Sequence, residues 1–200
     1  IGNDECSAPT TLVGTGLFPY DNTAGTTGCE GQDVQNCGGT IAAAKEVWPG
    51  SDQPYLRDHP DLYCVVGAPL KWESTIPVSD LDLALHKSGL NTPRGWTAIE
   101  VAKRSTSGRA QLLRLTSGQP QGTLMSASSF RYAIGRALGW NKMRSDLYDV
   151  RVGEGRLTFS GRGSGHGVGL CQAGAEEMAQ QRKDYRQILA FYYPGTQLAK

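Results

Sequence analysis

Glycine occupies every second position from Gly161 to Gly169, and one histidine sits inside the run Gly161-Arg162-Gly163-Ser164-Gly165-His166-Gly167-Val168-Gly169-Leu170-Cys171-Gln172. Each glycine costs conformational entropy on folding, so a run this dense is expected where the backbone must pass very close to another group. The segment that follows, Ala173 to Arg182, reads as helix. The chain is therefore expected to run from a close-approach loop, through His166, into a helix N-terminus whose free N–H groups suit an anion or a polar ligand.

Several chemistries fail on spacing. A phosphate-binding loop needs a lysine directly after its last glycine, and none follows here. The dinucleotide fingerprint Gly-x-Gly-x-x-Gly fits no register. Ser164 has Arg162 and His166 where a hydrolase elbow would carry glycines, and residues at alternate positions of an extended segment seldom reach nucleophile–base geometry. His166 remains, with no bulky neighbour to shield it. It is suited to a sugar hydroxyl, a carboxylate or a metal.

Bulk properties narrow the setting. Two hundred residues suffice for one domain with a real core. The net charge of +1 points to neither nucleic acid nor an anionic membrane, and the apolar runs are too short to cross a bilayer. Because the chain opens on Ile1, it is expected to be a mature or trimmed product. Of five cysteines, Cys6, Cys29, Cys37 and Cys64 lie in the first third, without the short paired spacing of a structural zinc site. One or two disulfides and an oxidising compartment are expected. Cys171, beside Leu170, is expected to pack as a small hydrophobe.

Periodicity sharpens along the chain. Residues 1 to 40 are rich in Gly, Thr, Asn and Asp, and the segment from Pro49 to Pro77 is dotted with prolines. Both read as irregular, with Trp48, Tyr55, Leu56 and Trp72 as anchors. Ser79 is expected to cap a helix with Leu81, Ala84 and Leu85 inward and Gly89 past its end. Ile99–Lys103 and Ala110–Leu115 predict paired strands. Ser128 or Ser129 opens a helix with Ile134, Ala137 and Leu138 buried. Leu147–Val152 and Arg156–Ser160 predict a hairpin around Gly153-Glu154-Gly155, and helices are expected over Ala173–Gln181 and after Asp184. The expected class is α+β, with mixed or antiparallel strands, flanking short helices and a loop-rich, disulfide-stapled N-terminal third. The chain reads as one domain, 1–200, with a loop-rich lobe over 1–78 and an α+β lobe over 79–200.

The run from Gly165 to Ala175 resembles the signature of the stage II sporulation protein D and amidase-enhancer family (SpoIID/LytB), typically Gly-His-Gly-Val-Gly-Met-Ser-Gln-Tyr-Gly-Ala. Leu170, Cys171 and Ala173 are the departures. Other blocks match in order: Cys37-Gly38-Gly39-Thr40, Val47-Trp48, Pro54-Tyr55-Leu56, the helix from Arg131 to Trp140, Arg144-Ser145, and Tyr185 to Thr196.

That resemblance implies peptidoglycan as the substrate and lytic transglycosylation as the reaction. A glutamic acid with a raised pKa protonates the MurNAc–GlcNAc glycosidic oxygen, and the muramyl 6-hydroxyl closes on C1, so one carboxyl serves where ordinary glycosidases use a pair. The implied glycan contacts are Ser164, Gly165, His166, Gly167, Gln172, Arg131, Arg162, Gly38, Gly39 and Thr40, with an arginine facing a carboxylate or acetamido group. The family's catalytic glutamate lies on a helix before the Gly-Gly-x-Thr block. Nothing in the sequence of residues 1 to 36 matches that helix, Glu5 and Glu30 sit in loop-like sequence, and Glu46, Glu176 and Glu177 read as structural or solvated. No catalytic acid is assigned. The chain is expected either to be a portion lacking the acid-bearing segment, or to be a non-catalytic module that binds glycan or enhances a cell-wall amidase. No cofactor is expected. A zinc ion at His166 with Cys37 or Asp33 is the less favoured alternative, since a Cys37–Cys64 disulfide competes for the same thiol. The implied location is extracytoplasmic, at the cell envelope or in the periplasm.

Overall fold

The protein is described by a computed structural model over residues 35–67, 70–90, 92–93, 95–117 and 121–198. Glu5, Cys6, Cys29, Glu30 and Asp33 lie outside these residues. In chain order the elements are β1 (Thr40–Ile41), α1 (Ala44–Val47), β2 (His59–Pro60), α2 (Leu62–Gly67), β3 (Lys71–Pro77), α3 (Val78–Lys87), β4 (Ala98–Arg104), β5 (Ala110–Thr116), β6 (Thr123–Ser126) and α4 (Ala127–Leu138). A 3-10 turn (Trp140–Lys142), β7 (Tyr148–Gly153), β8 (Arg156–Arg162), α5 (Gln172–Gln180) and α6 (Tyr185–Tyr192) follow. The class is α+β. The strands form antiparallel sheets in the orders β1-β2, β3-β8-β7 and β4-β5-β6.

Local chemistry accounts for the elements that the sequence predicts. The β7–β8 hairpin turns through Glu154 and Gly155, both at positive φ (51° and 71°), as a two-residue turn of the primed type requires. Helix α3 buries Leu81, Ala84 and Leu85, but it starts at Val78, so Ser79 lies inside it and does not supply the expected cap. It closes with Gly89 N–H donating to His86 O and Leu90 N–H to Leu85 O, a Schellman cap with glycine at φ 69°. Helix α4 starts earlier than expected, because the Ser126 hydroxyl accepts from Ser129 N–H at 3.3 Å. Its inward face is Phe130, Ala133 and Ile134, while Ala137 is exposed. In α6, Asp184 and Gln187 form the expected cap reciprocally, at 2.9 and 3.0 Å.

The expectation of irregular chain up to Pro77 is overturned. Lys71–Pro77 is a strand along the whole of β8, with Trp72 and Ile76 turned inward; the prolines bracket it rather than interrupt it. The main core joins the two three-stranded sheets through α3 and α4, with Leu81, Leu85, Leu113, Leu115, Phe130, Ile134, Leu157 and Phe159 buried. Each such side chain contributes about 1.5–3 kcal/mol of transfer free energy. A smaller core collects Cys37, Ile41, Cys64, Cys171, Met178 and Tyr192. The aromatics divide: Tyr148, Phe159 and Tyr192 are buried, whereas Tyr132 and Trp140 form an exposed edge-to-face pair at 5.7 Å.

Candidate functional site

The glycine run is packed against the protein itself. Gly161 lies opposite Trp72 in the β3–β8 register, and a Cβ there would enter the indole, whose Nε1–H donates to Gly163 O at 3.0 Å. Gly163, Gly165, Gly167 and Gly169 all adopt positive φ, between 73° and 86°. At Gly167 a Cβ would overlap the Arg109 guanidinium. The close approach expected of this loop is therefore met by internal neighbours.

Segments far apart in the chain converge on this loop. Asn36 and Ser164 exchange backbone hydrogen bonds (3.1 and 2.8 Å), Ala42 N–H donates to Gly167 O (2.8 Å), Gly165 N–H to Arg144 O (2.8 Å), and Leu170 N–H to the Tyr193 hydroxyl (3.3 Å). Ser145 Oγ donates to Arg162 O at 2.7 Å. Backbone pairing and the side chains of Tyr193, Ser145 and Trp72 together hold the loop.

His166 is half-buried against Trp48, with ring centroids 4.9 Å apart. Val168 N–H donates to its Nδ1 at 3.0 Å, which leaves the ring proton on Nε2. Burial, and then the charges of Arg131 and Arg109, push its pKa down to about 4. At neutral pH it is an uncharged hydrogen-bond donor.

Other expected contacts are already engaged within the fold. Arg131 Nε donates to Asp146 Oδ1 at 3.0 Å, with both groups buried. The Gln172 carbonyl oxygen accepts from Gln35 N–H at 2.7 Å. The first N–H groups of α5 do not stand free: Gln172 N–H and Ala173 N–H both donate to Gln35 O (3.0 and 3.4 Å). Gly38 and Gly39 make a tight turn at φ 70° and 95°, and Thr40 O accepts from Arg109 Nη1 at 3.0 Å. Ser164 is buried. Arg162 lines an open groove of about 640 Å³ with Lys71, Glu73, Arg104, Tyr148 and Asp149.

Glu46, next to Val47-Trp48, is a structural bolt. Its carboxylate accepts from Thr106 Oγ1 at 2.7 Å, from Ser107 Oγ at 2.5 Å and from Ala43 N–H at 3.4 Å, joining α1 to the β4–β5 turn. Burial would raise its pKa, but hydrogen bonds from Ser105, Ser107 and Thr106 outweigh it and hold the carboxyl below its ordinary value. A proton donor at a glycosidic oxygen needs the opposite shift.

The expected Cys37–Cys64 disulfide is not formed; Cys37, Cys64 and Cys171 are buried free thiols. Cys171 is buried in the smaller core, as expected, and also takes part in hydrogen bonding. Its sulfur accepts from Cys37 N–H at 3.3 Å and faces Gln35 O at 3.6 Å. All three thiols gather round Asp61, a residue that the sequence reading overlooked. Asp61 accepts from Cys64 N–H (3.0 Å), the Tyr192 hydroxyl (3.0 Å) and the Cys37 thiol (3.4 Å). Hydrogen bonds with Cys171 and Cys64, together with burial, push the Cys37 thiol far up. Burial first, and then the Asp61 charge, raises Tyr192 and keeps it a phenol. Asp61-Leu62-Tyr63-Cys64 has the spacing of a helix N-cap and its N3 partner, the one local signal that could have revealed the pair.

Residues 66–169, just over half of the chain, match the family described as a domain of unknown function (DUF8618). An uncharacterized protein of Brachyspira hyodysenteriae is 29% identical over 163 residues, 81% of this chain and 41% of that protein. The amidase enhancer of Bacillus subtilis is 29% identical over 121 residues, 60% of this chain and 16% of that protein. Stage II sporulation protein D of the same organism is 46% identical over 44 residues, 22% of this chain and 13% of that protein. The chain spans less than half the length of each of these relatives. No helix among the described residues is long and apolar enough to cross a membrane.

Proposed function

The chain belongs to the family described as a domain of unknown function (DUF8618), and from that premise we propose that it is a peptidoglycan-processing module that holds glycan strands at the surface around His166, outside the cytoplasmic membrane. The observation that carries this reading is the convergence of the Asn36–Thr40 turn, Arg144-Ser145 and Tyr193 on one loop, where a neutral imidazole presents Nε2–H beside the half-buried ring of Trp48. A flat aromatic face next to a neutral donor suits a pyranose ring and its hydroxyls. Part-length similarity to an amidase enhancer and to stage II sporulation protein D supports the same substrate class. Arg162 and Lys71, which line the open groove, are cations available to a lactyl carboxylate, whereas Arg131 is neutralised by Asp146.

Lytic transglycosylation of the MurNAc–GlcNAc bond is the proposed activity of the complete protein. Glu46 is not assigned as its proton donor, because hydrogen bonds hold its carboxyl below the ordinary value. The same carboxylate favours a second reading, in which the module binds glycan without turnover and assists a cell-wall amidase.

Both readings meet one experiment, in which the protein is incubated with peptide-free glycan strands, bound strand is measured, and the products are searched by mass spectrometry for 1,6-anhydromuramyl ends. Anhydro ends establish cleavage. Binding that weakens about tenfold in His166→Ala and Arg162→Glu, without such ends, establishes the non-catalytic module. No binding by the wild type overturns both.

A further inference from the structure

We infer that Cys37, Asp61, Cys64 and Cys171 form a closed tetrahedral site for a divalent metal ion of the zinc class, seated behind the glycine–histidine loop. One ligand atom from each residue, three sulfurs and one carboxylate oxygen, lies within 4.8 Å of the other three. With zinc–sulfur bonds of about 2.3 Å, the edge of a sulfur tetrahedron is about 3.8 Å, so side-chain adjustments below about 1 Å complete the shell. The four residues come from three separated segments: the turn before β1, the start of α2, and the residue that precedes α5.

Two bland accounts of this cluster leave something over. A disulfide between any two of the thiols would strand the third beside a carboxylate that is 0% exposed. Simple burial accounts for the thiols but leaves Asp61, although held by three hydrogen bonds, as a buried carboxylate without a countercharge. A dication removes both difficulties, and three thiolates with one carboxylate select a soft, four-coordinate ion over magnesium or calcium.

The surroundings are those of an anionic metal centre. Three thiolates, a carboxylate and a dication sum to a charge of −2. The Arg109 guanidinium, 4% exposed, lies directly behind, donating to Cys37 O at 2.9 Å and to Thr40 O at 3.0 Å. Among the described residues no carboxylate stands within ion-pair distance of Arg109; the charges of Cys37, Glu46 and Asp146 act on it, and a metal-bound ligand set would add to that negative charge. Cys37 N–H points at the Cys171 sulfur, and the Tyr192 hydroxyl fixes Asp61, as outer contacts of a thiolate–zinc centre do. With four protein ligands and no solvent exposure, the ion has no open position. Its role is to tie the Cys37-Gly38-Gly39 turn to α2 and α5, and the site stands independently of the glycan reading.

The test is the metal content of the purified chain, refolded with zinc under reducing conditions and desalted, by inductively coupled plasma mass spectrometry. The expected result is about one zinc per chain. Cobalt exchanged into the wild type should give intense sulfur-to-cobalt charge-transfer absorption together with tetrahedral ligand-field bands. Zinc binding should persist in the Cys6→Ser/Cys29→Ser variant and be lost in Cys171→Ser. Tyr192→Phe, which keeps all four ligands, should weaken zinc about tenfold in competition with a chelator. If Cys171→Ser fails to fold, the cobalt spectrum of the wild type decides. Absence of zinc, cobalt spectra without thiolate bands, zinc retained in folded Cys171→Ser, or a disulfide among Cys37, Cys64 and Cys171 in the zinc-refolded chain would each overturn the site.

Discussion

The imidazole of His166 lies 4.9 Å from the Trp48 ring, tilted by 59°, and its Nδ1 accepts the Val168 N–H at 3.0 Å. That contact requires a neutral ring, and a pH dependence follows. The folded pKa of about 4 lies below the ordinary 6.5, so the unfolded chain binds more protons between these values and stability rises with pH across them. The contribution is complete above about pH 6.5 and is lost as pH falls toward 4. Wild type should lose about 1–3 kcal/mol more than His166→Gln between pH 7 and pH 4, read from urea midpoints. Parallel curves for the two proteins would refute a neutral, half-buried His166.

Arg131 and Asp146 form an ion pair with side chains only 8% and 7% exposed, and Asp146 also accepts from the Ser128 hydroxyl at 3.3 Å. Removing one partner leaves an uncompensated buried charge. Arg131→Met should therefore cost about 3–5 kcal/mol, and the double variant Arg131→Met/Asp146→Leu less than the sum of the two single ones. A double-mutant cycle in chemical denaturation measures the difference.

Gly155 and Gly167 have nearly the same φ, 71° and 73°, in different surroundings. Nothing lies within 4 Å of a Cβ at Gly155, whereas one at Gly167 meets Arg109. Gly155→Ala should cost only the left-handed backbone strain, about 1–2 kcal/mol, and Gly167→Ala clearly more. Equal losses in thermal or urea unfolding would mean that the loop does not press on Arg109.

Glu46 should behave oppositely to a catalytic acid. Its folded pKa is depressed, so its contribution is present above the ordinary value of 4.5 and fades as pH falls through the folded value. Glu46→Gln should destabilise by about 1–3 kcal/mol at pH 7, with the gap from wild type closing in acid. If instead the variant folds normally and loses glycan cleavage, Glu46 is the acid after all.

Elements with strong local periodicity were legible before the structure: α3, α4, α6, the β4–β5 pair and the β7–β8 hairpin each carry their own cap, turn or alternation. Strand β3 was not, because only Trp72 and Ile76 mark its buried face, and its pairing with β8 is a long-range event. In the candidate site, the glycines announced close packing without revealing the neighbour. Trp72, Gln35 and Arg109 become neighbours only when distant segments meet.

By itself the sequence determined where the chain turns, caps and alternates, and that one glycine-rich segment must be crowded, since these follow from backbone sterics within a few residues. It also marked His166 as the exceptional side chain of that segment. Only the tertiary structure decided that the crowding is internal, that the N–H groups opening α5 are spent on Gln35, that Glu46 bonds to Thr106 and Ser107, and that three cysteines without a common local motif meet one buried aspartate. The reason is physical: charge, desolvation and coordination depend on which atoms come within a few ångströms, and here those atoms are supplied by segments that no local pattern connects.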